Sequence, residues 1–299
     1  MKPRQALSGR ERKNSFGPSA HKMCNRDTHD RQFKEFFFDT CSAPEYRCHP
    51  HFYIIHGYDG QCHDSLVERF QYHYLADKNI LPLRVPWPCS MKLEEGKSFL
   101  HSKLCEKMAC EFQAARGRDE SPMSDVYKRC RDMSSFTLLK LIGPDLSDLK
   151  TYDMVVIVHR IMASEWKDVY HSLLWYLTEY WKPLRDRELP LFLIFLNVVY
   201  PSSDSFLTRI RRWYTRKYVY DNLVMLWEAV KHQSQCLLIE ELTNVSQEDV
   251  STWIWENAKR LGDSERTMTI HEIFKGKSHL PMCEIEKALE QIALENNRM

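Results

Sequence analysis

The stretch HGYDGQCHDS, residues 56–65, holds two glycines, two carboxylates, two histidines and a thiol within ten positions. It follows the apolar run HFYII and precedes LVERFQYHYL, whose apolar residues recur at helical spacing. A turn that ends a strand and opens a helix is where a P-loop cradles nucleotide phosphates on backbone N–H groups. In the pattern GxxxxGK[ST], lysine adds a point charge and the Ser/Thr hydroxyl binds Mg²⁺. With Gly57 as the first glycine, Gly60 falls inside the loop and Cys62 stands at the second glycine. His63 then takes the lysine position and Asp64 the Ser/Thr position. Moving the frame by one brings Ser65 to the hydroxyl position but puts Asp64 in place of lysine. In either frame Asp59 and Asp64 sit where phosphate charge would lie. Like charges ~4 Å apart repel by about 4 kcal/mol at an effective dielectric of ~20. A helix N-terminus attracts an anion by only about 1 kcal/mol. Asp64 is better suited to cap the helix, filling the phosphate position with its own carboxylate.

The other half of such a site is an Asp that holds Mg²⁺ at the end of a second strand. The candidate strand MVVIV, residues 154–158, is followed by His159 and Arg160, so a cation stands where the metal ligand belongs. These two residues could line a pocket at the carboxyl ends of the strands, with Arg160 on an anionic ligand. Alternatively Arg160 pairs with Asp59, Asp64 or Glu165 and fills the former metal site; the abundance of nearby acids favours this second reading.

Three further clusters invite chemistry. Cys48, His49, His51, His56, Cys62 and His63 are thiolate and imidazole donors of the kind zinc takes, but their spacing matches no zinc-finger pattern. RIRRWYTRKY, residues 209–218, mixes basic and aromatic residues as nucleic-acid binders do. The simpler reading is a solvated basic helix face with Ile210, Trp213 and Tyr214 packed inward. Ser, His and Asp are plentiful, yet no G-x-S-x-G elbow is present to support a hydrolase.

The elements that must position these residues alternate. Strands are expected at Phe52–His56, Ile80–Val85, Met154–Val158, Leu191–Leu196 and Cys236–Ile239. Helices are expected at Arg31–Asp39, His63–Leu75, Leu93–Ala115, Ser134–Ile142 and Lys167–Trp181. Further helices follow at Ser203–Lys217, Tyr220–His232 and Ser246–Leu261, with an amphipathic tail at Pro281–Asn296. Ser246 with Asp249 three residues on resembles a capping box. Alternation of this kind implies parallel βαβ units, an α/β fold with both sheet faces covered. Residues 1–26 form a basic extension and residues 27–299 a single domain on this reading.

Composition narrows the class. The 299 residues are 43% hydrophobic and 28% charged, enough for one large core. A net charge of +1 argues against a nucleic-acid binder driven by bulk charge. The longest apolar runs fall well short of the ~20 residues of a membrane span, and the first residues lack an apolar signal core. A cytoplasmic protein with reduced thiols is expected. The ten cysteines include no CxxC pair, and Cys105, Cys110 and Cys236 lie in apolar or helical stretches where thiols pack as small hydrophobes.

FYIIHGYDGQCHDSLVERF, then VVIVHRIMASEWKDVYHSLLWYLTEYW, LPLFLIFLNVVYP and LLIEELTNVSQEDVSTWIWEN, in that order, resemble the inactive STAND (iSTAND) family. The most specific parts are His63, Ser65, Leu66 and Arg69 in the first segment, and His159, Arg160, Ser164, Glu165 and Trp166 in the second. The resemblance implies a P-loop NTPase-like three-layer fold, with a mainly parallel five-stranded sheet, extra C-terminal helices and lost Walker residues. It also implies a catalytically inactive scaffold or sensor in bacterial immunity (conflict) systems, coupled through protein partners to a separate effector or adaptor chain. Neither a metal nor a hydrolysed nucleotide is implied. Two alternatives stay open: a nucleotide sensor in which His63 and Arg160 replace the Lys and Mg²⁺ charges, and a divergent NTPase using loop 57–65. Nucleic acid and membrane partners are not expected, and oligomerisation is left open.

Overall fold

A computed structural model describes residues 26–42, 50–88, 91–116, 151–182, 190–200, 206–258 and 261–298. Five strands form one sheet: β1 (His51–Tyr58), β2 (Ile80–Arg84), β3 (Met154–Met162), β4 (Leu191–Tyr200) and β5 (Gln235–Leu238). Their order is β2-β3-β4-β1-β5, and every neighbouring pair is parallel. Pro82 lies in β2, an edge strand, where a missing N–H donor costs least.

Strand side chains alternate between two cores. Phe52, Ile54, Val155, Ile157, Phe192 and Ile194 face one, together with α3 (Leu93–Arg116), α4 (Trp166–Trp175) and α5 (Phe206–Val230). Tyr53, Ile55, Val156, Leu193 and Phe195 face the other. There they meet α1 (Asp27–Ser42), α2 (His63–Tyr74), α6 (Gln247–Asn257), α7 (Asp263–Phe274) and α8 (Met282–Arg298). The strands are apolar on both sides because both faces are covered. Among the described residues no helix is long and apolar enough to cross a membrane.

Several boundaries depart from expectation. Strands β3 and β4 run four residues further, to Met162 and Tyr200, because their alternating apolar residues continue past the first polar ones. The two helices expected over 203–232 are a single helix, α5. No breaker interrupts the chain at 218–219, and Val219, Leu223, Leu226 and Val230 make one continuous buried stripe. The helix expected at 167–181 changes to a one-turn π-helix at Tyr176–Tyr180. That wider turn lets Tyr176, Tyr180 and Trp181 all be buried. Helix α7 and the small antiparallel pair β6 (Val245–Ser246) with β7 (His279–Leu280) were not anticipated. The Ser246–Asp249 capping box is present: Asp249 N–H donates to Ser246 Oγ at 3.2 Å, and Ser246 N–H to Asp249 Oδ2 at 2.9 Å. The helix expected at 134–142 lies outside the described residues.

Candidate functional site

Helix α2 leaves β1 towards one face of the sheet, and α5 leaves β4 towards the other. Ligands of open α/β sheets bind outside the carboxyl ends of two such strands. The loop from Asp59 to Cys62 lies at this position, four residues between β1 and α2.

Both glycines are required for reasons unrelated to phosphate. A Cβ on Gly57 would stand 2.8 Å from Cβ and from the carbonyl oxygen of Leu242. The chain after β5 runs that close because Leu242 bridges to Gly57 and its N–H donates to the His56 carbonyl at 2.8 Å. Gly60 has φ +90°, a backbone conformation few other residues adopt. Its carbonyl accepts the Cys283 N–H at 2.9 Å, so the start of α8 is fastened to the loop.

Three loop amides are already used by the protein itself. Asp59 N–H donates to the Tyr200 carbonyl, Gly60 N–H to Asp59 Oδ1, and Gln61 N–H to the Tyr58 carbonyl, at 3.0, 3.1 and 3.2 Å. Gln61 is buried and bonded at both ends, accepting from Arg26 at 3.3 Å and donating to Asn244 at 2.6 Å. Arg26, expected in the N-terminal extension, is itself buried here. Cys62, at the second-glycine position, is left-handed at φ 54°, and its thiol donates to Glu286 of α8 at 3.2 Å. Burial and Glu286 push that thiol far above its ordinary pKa, so it stays protonated.

The side chains meant to replace Walker chemistry do other work. His63 is buried, and desolvation, with Arg160 next, lowers its pKa to about 3. It is neutral at pH 7 and cannot supply the lysine's charge. Asp64 does not cap α2, which begins after left-handed Cys62 with no side-chain cap. Its carboxylate instead accepts from Asn197 Nδ2 at 2.8 Å and from Arg84 at 3.1 Å. Ser65 lies half-buried in the first turn of α2.

His159 and Arg160 part company because they are neighbours inside β3 rather than residues beyond its end. His159 faces the α3–α5 core, where Nδ1 meets the Val85 carbonyl at 2.9 Å and Nε2 the Tyr176 hydroxyl at 2.8 Å. Burial lowers its pKa to about 4. Arg160 faces the loop and pairs with Asp59 at 2.9 Å, the two side chains 54% and 47% exposed. So of the two only Arg160 stands where a P-loop site would hold its metal, and it is paired with a carboxylate there.

Asn197 was missed, although it is the one amide in the apolar run LFLIFLNVVY. It lies opposite Arg160 in register, is fully buried, and holds Asp64, while among the described residues its own Oδ1 has no hydrogen-bond partner. Arg69, in the first family-like element, ties α2 to α1 by donating to Asp30 at 2.6 Å. Trp166, in the second, is buried in the core.

The Cys/His-rich stretch is not assembled into a centre. Cys48 and His49 lie outside the described residues, His51 contacts Thr40 at 3.3 Å, and His56 contacts Tyr200 at 2.9 Å. Among the described residues no group of three or more His, Cys, Asp or Glu is placed to hold a metal. In the basic helix, Arg216 clamps Glu241 and Lys217 pairs with Asp221. Tyr214 is 63% exposed, not packed inward, because Val219 and Leu223 define the buried side of α5. Cys110 is likewise exposed rather than packed.

A P-loop site implies nucleotide and Mg²⁺. The residues present do not fit that pair: the lysine position is a neutral buried histidine, and the metal position an arginine–carboxylate pair.

The inactive STAND family matches residues 21–198, a range ending inside β4, so α5–α8 and β5–β7 lie beyond it. No curated protein matches. Solved structures that match include the Aeropyrum pernix ORC2 protein in ADPNP–ADP complexes, at 12% identity and TM-score 0.46. Cdc6p from Pyrobaculum aerophilum follows at 12% identity and TM-score 0.43, covering 95% of this chain. The alignment with ORC2 covers 93% of this chain, and the chain spans 64% of the length of each of these two structures. A Walker-type ATPase of Pyrococcus abyssi matches at 11% identity and TM-score 0.41, over 92% of this chain and 73% of its own.

Proposed function

The chain belongs to the inactive STAND family, and from that premise we propose that it is a non-hydrolysing scaffold or sensor. It couples a trigger to a separate effector or adaptor chain in a bacterial immunity system, through protein contacts made in the cytoplasm. The observation that carries this reading is the occupation of the crevice by the protein's own groups. Three loop amides, Asp64 and Arg160 all have internal partners. A phosphate entering there would have to displace Asp59 and Asp64 or be repelled by them.

A second reading rests on a specific observation: Arg84 and Arg160, 65% and 54% exposed, converge on those two aspartates. An anion strong enough to displace the carboxylates would find the Arg160 guanidinium and that of Arg84, which also pairs with Glu68 at 2.9 Å. Calorimetric titration with ATP and GTP, each with and without Mg²⁺, separates the readings. The scaffold predicts no binding up to millimolar nucleotide. Binding without Mg²⁺ that falls in Arg160→Ala would establish a nucleotide sensor instead. Mg²⁺-dependent phosphate release lost in His63→Ala would establish a divergent NTPase.

A further inference from the structure

A cleft of about 810 Å³ opens at the β5 edge of the sheet, lined by α1, α5 and the segment after β5. This is the size of a ligand site. Its floor is His56, which shares a hydrogen bond with the Tyr200 hydroxyl at 2.9 Å and which burial lowers to about 4, hence neutral. Tyr220 packs against that imidazole, ring centroids 5.6 Å apart, with much of its own ring exposed. Trp227 donates to the Cys236 carbonyl at 2.9 Å and already seats one cation, Lys231 Nζ, 4.7 Å from its ring centroid.

The charges in this cleft leave a remainder. Arg216 grips Glu241 through two nitrogens, and Lys217 pairs with Asp221 at 3.3 Å. Glu240 is exposed, and among the described residues its carboxylate has no ion pair. A lone carboxylate beside aromatic rings suits a cation.

The rim says which cation. Thr243 lines the cleft, and its carbonyl accepts from the Arg26 guanidinium at 3.4 Å. Gln32, also lining it, accepts from the Glu240 N–H at 3.0 Å. Residues 1–25 therefore join the fold at this rim. They contain Lys2, Arg4, Arg10, Arg12, Lys13 and Lys22 against Glu11 alone, a net +5. Since the whole chain is +1, residues 26–299 carry −4. Lys22, four residues before Arg26, reaches ~13 Å at about 3.3 Å per residue, and the other basic residues reach further.

We propose that this cleft binds the chain's own basic segment, residues 1–25. A lysine or arginine stem lies over Tyr220 and Trp227 with its charged head at Glu240. This goes beyond the scaffold reading and does not depend on it. It makes the cleft a basic-peptide site that an outside partner must compete for.

The test uses the full chain, diluted, and mixed with an isotopically heavy copy. Carbodiimide joins lysine amines to carboxylates in contact, and mass spectrometry maps the joins. The expected result is a link from Lys22 or Lys13 to Glu240 within one copy. Hydrogen exchange supplies the second readout. Replacing Arg12, Lys13 and Lys22 by Glu should speed exchange of residues 238–243 several-fold, as should Glu240→Lys alone. Combining the two sets should restore the slower exchange, which a merely misfolded variant would not do. Absence of the link, links only between light and heavy copies, or unchanged exchange in the reversed variants overturns the proposal.

Discussion

The crevice at the start of α2 and the cleft beside α5 lie at the carboxyl ends of the same sheet, yet they treat their polar groups in opposite ways. In the crevice, amides and charges are taken up by neighbours within the chain, down to Arg160 on Asp59 and Asn197 on Asp64. In the cleft the ion pairs leave Glu240 and the Tyr220 ring facing solvent. Position at a topological switch point makes a ligand site available. Whether one exists depends on which donors and acceptors remain unspent. By that measure the crevice at the switch point is closed and the cleft at the sheet edge is open.

Acid should produce the largest effect and divide it between the two regions. His56 and His159 titrate near 4 and His63 near 3 in the fold, because burial disfavours the imidazolium. In the unfolded chain each titrates near 6.5. Between those values the unfolded chain binds more protons, so stability that is full above pH ~6.5 is lost as pH falls. Each residue can contribute on the order of 3 kcal/mol to that loss. The urea midpoint should drop steeply from pH 7 to pH 5, and His63→Gln and His56→Gln, made separately, should each flatten the drop. Equal midpoints at the two pH values would contradict the burial of all three.

Gly57→Ala comes next. Its methyl meets the Leu242 backbone, which joins the two regions, and the cost should be about 3 kcal/mol by denaturant titration. A cost below about 0.5 kcal/mol would mean that the chain after β5 yields easily. Arg216→Met should follow at about 2 kcal/mol, because it leaves the 13%-exposed Glu241 without its clamp. Smallest in stability is Asp59→Asn, within about 1 kcal/mol, since its pair with Arg160 is half exposed. Combined with Asp64→Asn, however, it releases Arg160 and leaves Arg84 paired with Glu68, and weak millimolar ATP binding should appear by calorimetry where the parent chain shows none. No binding in the double variant would show that the loop backbone, rather than the carboxylates, closes the crevice.

The sheet was legible because its strands are apolar on both faces and separated by amphipathic helices. The Ser246 box was legible because capping depends on residues three apart. Helix α7 was not: DSERTMTIHEIF buries only Arg266 and Phe274, too few to make a stripe. The crevice was half legible. The loss of lysine, hydroxyl and metal ligand could be read from His63, Asp64 and Arg160, and so could an acidic partner for Arg160, with Asp59, Asp64 and Glu165 all open; the structure selects Asp59. The partners of Asp64 could not, because Asn197 and Arg84 arrive from other strands. Nor does MVVIV, whose apolar run stops at Val158, assign His159 a side of the sheet. The fastening of Gly60 to Cys283 joins residues too distant in sequence for any local pattern to reveal.

That fastening has a consequence in time. Synthesis runs from the N-terminus at about 5–20 residues per second. The turn at Gly60 leaves the ribosome long before Cys283 is made, by roughly 10–45 s at that rate. Throughout this interval the Gly60 carbonyl and the Cys62 thiol lack the partners that α8 later supplies. The nascent chain therefore passes through a stage in which its first βα turn is open on the side that the mature protein covers, and α8, translated much later, shuts it.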